Sequence, residues 1–196
     1  MEDFITFKSF DNDKEESPIA KAMETLIEKV IEPIMPKALP KEIELTLNSR
    51  LGDEYTAYYF YRNAANWCKG VNYPKAAAFF EKEAAGELEH ALKIQDYLTQ
   101  WNLYPDIPAV ETGRAFLGLV DLINQAYELE WNLLQKYSND QKEIFRDHPA
   151  TFNFIQEYVD IQVGEVSEYS DLLNALQLID VSSKLDLLVF EDRYFG

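Results

Sequence analysis

Four long stretches of the chain repeat apolar residues at steps of three and four, and the middle of each repeat carries a carboxylate or an amide. That spacing draws one stripe along a helix, so each stretch reads as an amphipathic helix whose apolar face must be covered by its neighbours. The first stripe runs through Leu47, Leu51, Glu54, Tyr58, Tyr61, Ala65 and Cys68, and the second through Tyr73, Ala76, Phe80, Glu83, Glu87, His90, Ile94, Tyr97 and Trp101. The third holds Phe116, Val120, Ile123, Tyr127, Glu130, Leu134 and Tyr137, and the fourth Ile155, Tyr158, Gln162, Glu165, Tyr169, Leu172, Leu176 and Ile179. Gly70 and its neighbours leave room only for a tight turn between the first two helices, which makes them antiparallel. Asn102 to Gly113, with Pro105 and Pro108, is long enough to cross the length of a bundle. One long crossover predicts an all-α, up-down-down-up four-helix bundle. A short fifth helix is expected over Lys184 to Phe195, with Leu185, Leu188, Val189 and Tyr194 available for packing.

A chain of 196 residues with 47% hydrophobic content buries one sizeable core and leaves little for a second. The expected organisation is an extension over residues 1–38 followed by a helical domain over 39–196. Residues 1 to about 16 are charged and polar around a few Phe. Ser17 and Pro18 suit a helix start, and Ile19, Met23, Ile27, Val30 and Ile31 repeat at helical spacing until Pro33, Pro36 and Pro40 end it. Such a helix can pack outside the domain or dock a partner, or it is a variable extension without a specific task.

The net charge of −17 argues against a phosphate-backbone binder, which needs clustered Lys and Arg, and disfavours an anionic membrane surface. It favours cations instead. A single cysteine, Cys68, rules out an internal disulfide framework and fits a reducing compartment, and its place on an apolar stripe suits a packed side chain. The acidic start is unlike a secretory leader, and no apolar run reaches the roughly 18 residues of a membrane span. A cytoplasmic location is expected.

Glu54, Glu87, His90, Glu130, Gln162 and Glu165 lie on the stripes that face the core, where unpaired carboxylates are costly. Glu87 and His90 sit three apart on one face of the second helix, and Gln162 and Glu165 repeat that spacing on the fourth. Four carboxylates, an imidazole and an amide therefore converge from four helices. A pair of divalent ions neutralises them, and mixed oxygen and nitrogen ligands suit iron. A polar pair at Glu87 and His90 alone would have an ordinary structural explanation; three further core carboxylates require several of them to stay protonated if no metal binds. His148, before Pro149, reads as a turn or cap.

The order Glu54 with Tyr61 seven residues later, Glu87-Leu88-Glu89-His90, Glu130, then Gln162 with Glu165, resembles the ligand pattern of the non-haem ferritins, a ferritin-like di-iron carboxylate family. Framework stretches such as Asn66-Trp67-Cys68 and Thr151-Phe152-Asn153-Phe154 resemble bacterial members. The resemblance implies a ferroxidase that oxidises Fe(II) with O2 or H2O2 and stores iron as mineral in a 24-subunit homo-oligomeric cage. It implies that Glu54, Glu87 and His90 hold the first iron, that Glu87 bridges to a second held by Glu130 and Glu165, and that Gln162 is a hydrogen-bonding group beside the site. Tyr61 would orient Glu130 and supply an electron, or be only a packed aromatic. Glu83 is an accessory carboxylate or a boundary charge. Where many bacterial members carry extra carboxylates for a third iron, this chain has Gly86, Ile161 and Gly164, which implies two irons. A di-iron oxidase without storage, or a non-catalytic helical interaction protein, are the other readings of the bundle.

Bacterioferritins bind haem through a bundle methionine, and the methionines here are Met1, Met23 and Met35. No haem is expected. Purified protein supplied with haem should therefore show no shifted Soret band, and stoichiometric haem binding would overturn the non-haem reading.

Overall fold

The computed structural model describes Ile19, Lys21 and residues 39–110, 115–144 and 147–196. The chain divides into two units, Met1–Lys37 and Ala38–Gly196, and the second carries everything below. The helix expected near 18–32 falls outside the described residues, apart from Ile19 and Lys21, which are helical. Gly113 falls outside them too.

Five helices follow in order: α1 (Lys41–Gly70), α2 (Pro74–Gln100), α3 (Leu119–Ile144), α4 (Pro149–Leu176) and α5 (Lys184–Tyr194). Their ends have local causes. Pro74 and Pro149 occupy first turns, where a missing N–H costs nothing. His148 caps α4 by accepting the Thr151 N–H at 3.3 Å, and Ser183 caps α5 by accepting the Asp186 N–H at 3.2 Å. The tight turn after α1 differs from expectation: Gly70 is the last helical residue, and Asn72 takes the left-handed backbone at φ 63°. Asn102 does the same after α2 at φ 57°. Asn tolerates that region because its short amide bonds locally.

The crossover runs along α1. Asp106 N–H donates to Asn48 at 2.8 Å, Pro108 lies beside Gly52, and Phe116 packs on Phe60 and Trp67 at 5.6 and 5.9 Å. It therefore delivers α3 to the far end, antiparallel to α1, and α4 turns back through a short connection. The up-down-down-up bundle is the observed topology. Arg50 ties α1 to α3, with Asp140 at 2.9 Å.

The hydrophobic core is in two pieces. One gathers Leu39, Ile43, Leu47, Leu51, Ile94, Leu98 and Ile155, and the other Ala57, Phe60, Ala64, Phe80, Ile123, Leu172 and Phe190. Between them lie the buried polar side chains of Glu54, Glu87, Glu130 and Gln162. On α3 the buried residues are Leu119, Ala126 and Leu133, whereas Val120, Tyr127 and Leu134 are only partly covered. Phe116, Ile123, Glu130 and Tyr137 are buried as the stripe predicts, but at the other three positions the neighbouring residue one back turns inward, which places a small Ala in the core and leaves Tyr127 stacked on the exposed Trp131.

The fifth helix also turns a different face inward. Leu185, Leu188, Val189 and Tyr194 are exposed; Phe190, Glu191 and Phe195 are buried, with Leu187 packed beside them. Its anchor is polar. Glu191 Oε1 accepts the Lys75 and Ala76 N–H groups at 2.6 and 3.0 Å, so a side chain of α5 caps the start of α2, while Phe195 packs on Phe79 at 5.0 Å. Replacing Glu191 with Ala leaves those donors unmet inside the fold and should cost about 1–2 kcal/mol in a thermal or denaturant melt. Asp192→Ala, which removes only the exposed ion pair to Lys75, should change stability by less than about 0.5 kcal/mol. Equal effects from the two would contradict the capping role.

Candidate metal centre

Each of the four long helices sends a polar group into the gap between the two hydrophobic pieces: Glu54 from α1, Glu87 and His90 from α2, Glu130 from α3, Gln162 and Glu165 from α4. Glu54, Glu87, Glu130 and Gln162 are 0–1% exposed; His90 and Glu165 are partly covered. Two groups of three form, Glu54 with Glu87 and His90, and Glu87 with Glu130 and Glu165. In each group the ligand-type atoms lie within 4.8 Å of one another, and Glu87 belongs to both. His90 Nδ1 is 3.3 Å from Glu87 and 3.5 Å from Glu54.

Buried Tyr hydroxyls hold two of the carboxylates. Tyr61 on α1 donates to Glu130 Oε1 on α3, and Tyr137 on α3 donates to Glu54 Oε1 on α1. The exchange is reciprocal because each carboxylate has a Tyr seven residues further along its own helix, and the two helices are antiparallel. Tyr61 is therefore placed to orient Glu130, and the same contact is made on the opposite side by Tyr137, a residue given no role from the sequence although the seven-residue repeat was there to be read. Tyr158 stacks on Tyr137 at 4.9 Å and donates to the His90 carbonyl at 2.8 Å; Tyr169 stacks on Tyr61 at 6.1 Å. Gln162 Nε2 donates to Glu165.

The second oxygens of Glu54 and Glu130, and the Gln162 carbonyl oxygen, are buried without a well-formed hydrogen bond, their neighbours being the cluster's own imidazole and carboxyls. Such acceptors normally find one. Three such oxygens among carboxylates and an imidazole could hold a hard or borderline divalent cation. The protonation equilibria show the same deficit of positive charge. Burial, then the charges of Glu54 and Glu130, push the Glu87 carboxyl far above its ordinary range. Glu130 is raised to about 7 by burial, with the Tyr61 hydrogen bond opposing it. Glu165 is raised to about 9 by burial and by Glu130, Glu54 and Glu83. Glu83, partly buried one turn before Glu87, is raised to about 7 by burial and by Glu168.

The residues set aside as structural are placed so. Cys68 is fully buried, its thiol pushed up to about 12 by burial, and His148 is the α4 cap. Gly86 and Gly164 lie within α2 and α4, and Ile161 is partly covered.

A model of the ferritin-like domain family matches residues 44–179. The protein named bacterial non-heme ferritin of Escherichia coli is 30% identical over 148 residues, covering 74% of this chain and 88% of that protein. The protein of the same name from Campylobacter jejuni is 29% identical over 144 residues, covering 72% and 86%. An open-pore ferritin of the archaeon Archaeoglobus fulgidus superposes with a TM-score of 0.75 at 22% identity, covering 82% of this chain and 98% of that one. At that identity the likeness is one of fold.

Raised carboxyls make the metal-free protein pH-sensitive in a stated direction. Glu130 and Glu165 keep protons in the folded chain up to about 7 and about 9, but release them near 4.5 when unfolded. The folded state thus binds more protons, and stability, fullest below 4.5, is lost as pH rises through those values. Melting temperatures of chelator-treated protein should fall across that window. The fall should be shallower in Glu165→Gln and largely removed by a bound divalent ion, which displaces the protons. A flat or rising profile in the chelated protein would mean that the cluster is ionised and matched by charge elsewhere.

Proposed function

The chain belongs to the ferritin-like family, and on that premise we propose that it is a ferroxidase subunit of an iron-storing ferritin, oxidising Fe(II) at the four-helix cluster. The observation that carries the reading is the pair of three-residue groups sharing Glu87, with bare oxygens on Glu54 and Glu130. In this reading Glu54, Glu87 and His90 hold one Fe(II), and Glu87 bridges to a second held by Glu130 and Glu165. Gln162 fixes Glu165 through its amide, and Tyr61 and Tyr137 fix Glu130 and Glu54. Both ions are substrate, each giving one electron. Dioxygen taking two electrons and two protons leaves as hydrogen peroxide, and peroxide taking two of each leaves as water. Glu87, Glu130 and Glu165 bind protons in the metal-free site, would release them when the ions enter, and would take protons up again once the ferric product has left.

Storage needs an enclosed volume, which a single bundle lacks. Relatives that are ferritins support assembly of identical subunits into a cage, for which we take 24 copies and a cytoplasmic setting as the working form. The net charge of −17 concentrates cations near such a shell. Among the described residues no helix is long and apolar enough to cross a membrane.

Glu130→Ala or His90→Ala should remove fast Fe(II) oxidation while helical content and particle size by light scattering persist, because each deletes a ligand and Glu130→Ala also relieves buried negative charge. Tyr61→Phe should slow it by about 10–100-fold, the usual effect of losing a partner that orients a ligand. Unchanged initial rates in both ligand variants would refute the site. Excess iron under air should yield soluble particles with a mineral core; turnover without mineral would instead favour an oxidase that does not store.

A further inference from the structure

Two glycines sit where a helix least favours them. Gly86 lies mid-way along α2 and Gly164 mid-way along α4, positions at which Gly is the poorest residue but Pro. Neither takes a left-handed backbone, and a Cβ built at either would meet nothing within 4 Å. Backbone conformation and close packing, the usual reasons for Gly inside a helix, are both missing. Each immediately precedes a carboxylate of the cluster, Glu87 and Glu165.

They also stand at one level of the bundle. Across the antiparallel pair α2 and α4, Phe79 meets Tyr169 at 6.2 Å, Tyr158 donates to the His90 carbonyl at 2.8 Å, and Tyr97 meets Thr151 at 2.9 Å. These contacts set Gly86 and Gly164 at the same level, with Gly164 exposed and Gly86 partly covered. The seam is closed by aromatic rings on one side and by Tyr158 and the Lys93–Glu157 ion pair on the other, and the glycines fall between. Of the six cluster residues, the two with any appreciable exposure, His90 and Glu165, are on these two helices. Glu83 and Glu168 are acidic residues on the same two helices, close enough for Glu168 to act on Glu83.

We propose that divalent ions enter and leave the cluster through the α2–α4 seam, and that Gly86 and Gly164 hold its mouth open. The inference rests on the metal-centre reading above. It assigns the two glycines a role in exchange rather than in coordination: they give up helix stability for a passage lined by backbone, and the carboxylates and His90 receive the ion inside. A bulky side chain at either position then slows entry without altering the ligands.

Cobalt(II) is the probe, because its visible absorption changes when water is exchanged for carboxylate and imidazole and no oxidation intervenes. Gly86→Leu with Gly164→Leu should bind cobalt to the wild-type capacity but at a rate lower by on the order of tenfold or more, since the helices must part to admit it. Gly86→Ala and Gly164→Ala should raise the melting temperature, by about 2–4 °C each. If the double variant does not fold, Gly164→Cys provides the same bulk after folding, by alkylation of the introduced thiol with N-ethylmaleimide while Cys68 stays buried. Alkylation should slow uptake, and the unalkylated variant should behave as wild type. Wild-type uptake rates in both blocked proteins, or lower melting temperatures in the Ala variants, would overturn the proposal. Failure of the unmodified wild type to bind cobalt at all would instead bring down the metal-centre reading, and the passage with it.

Discussion

Carboxylates shut away from water at the waist of the bundle are the constraint from which the rest of the structure follows. Glu54, Glu87 and Glu130 are fully buried, and no lysine or arginine reaches them among the described ion pairs. Three charges in such a place would repel one another and forgo hydration; burial and neighbouring charge hold the Glu87 and Glu130 carboxyls above their ordinary range, and a cation could take the place of their protons. The apolar core cannot run through this layer, which is why it comes in two pieces, each large enough to hold its own end of four long helices.

The tyrosines resolve part of the same problem. A buried carboxylate needs donors that bring no charge of their own, and a phenol satisfies one oxygen while filling volume with an apolar ring. Tyr61 and Tyr137 do this reciprocally, leaving the second oxygen of each carboxylate bare. One oxygen is thereby fixed by the fold, so that any ion the other could hold would meet carboxylates already oriented. Tyr158 and Tyr169 stack on these two rings and restrict their motion.

The bundle was legible because helical periodicity records burial directly, and the cluster was legible because six ligand-type residues interrupted that record. What stayed hidden depended on which of two adjacent faces the neighbours select. On α3, Tyr127 and Leu134 make as regular a stripe as Ala126 and Leu133, and only the close approach of the other helices decides for the smaller residue. On α5, four exposed apolar side chains masked the face that Glu191 fixes by capping α2, a contact across more than a hundred residues. Tyr137 was visible on its stripe, but its partner Glu54 is on another helix, and the antiparallel order of α1 and α3 is what turns two seven-residue spacings into two cross-bundle hydrogen bonds.

Local preference and global structure agree along most of this domain and conflict in one place. Pro begins helices, Ser and His cap them, Asn takes the left-handed turns, and apolar residues face inward. At the waist the rules are broken together: acids are buried, acceptors lack well-formed hydrogen bonds, and mid-helix glycines sit where a Cβ would meet nothing. Agreement elsewhere supplies the stability that tolerates such a concentration of unfavourable choices. Random drift would scatter these departures along the chain, whereas a site that must take up, hold and release a charged substrate needs all of them at one level of the bundle. Buried acids create affinity, bare oxygens create vacancy for a ligand, and the glycines answer the remaining requirement, since a cluster sealed on every side by packed helices would bind an ion tightly and exchange it slowly.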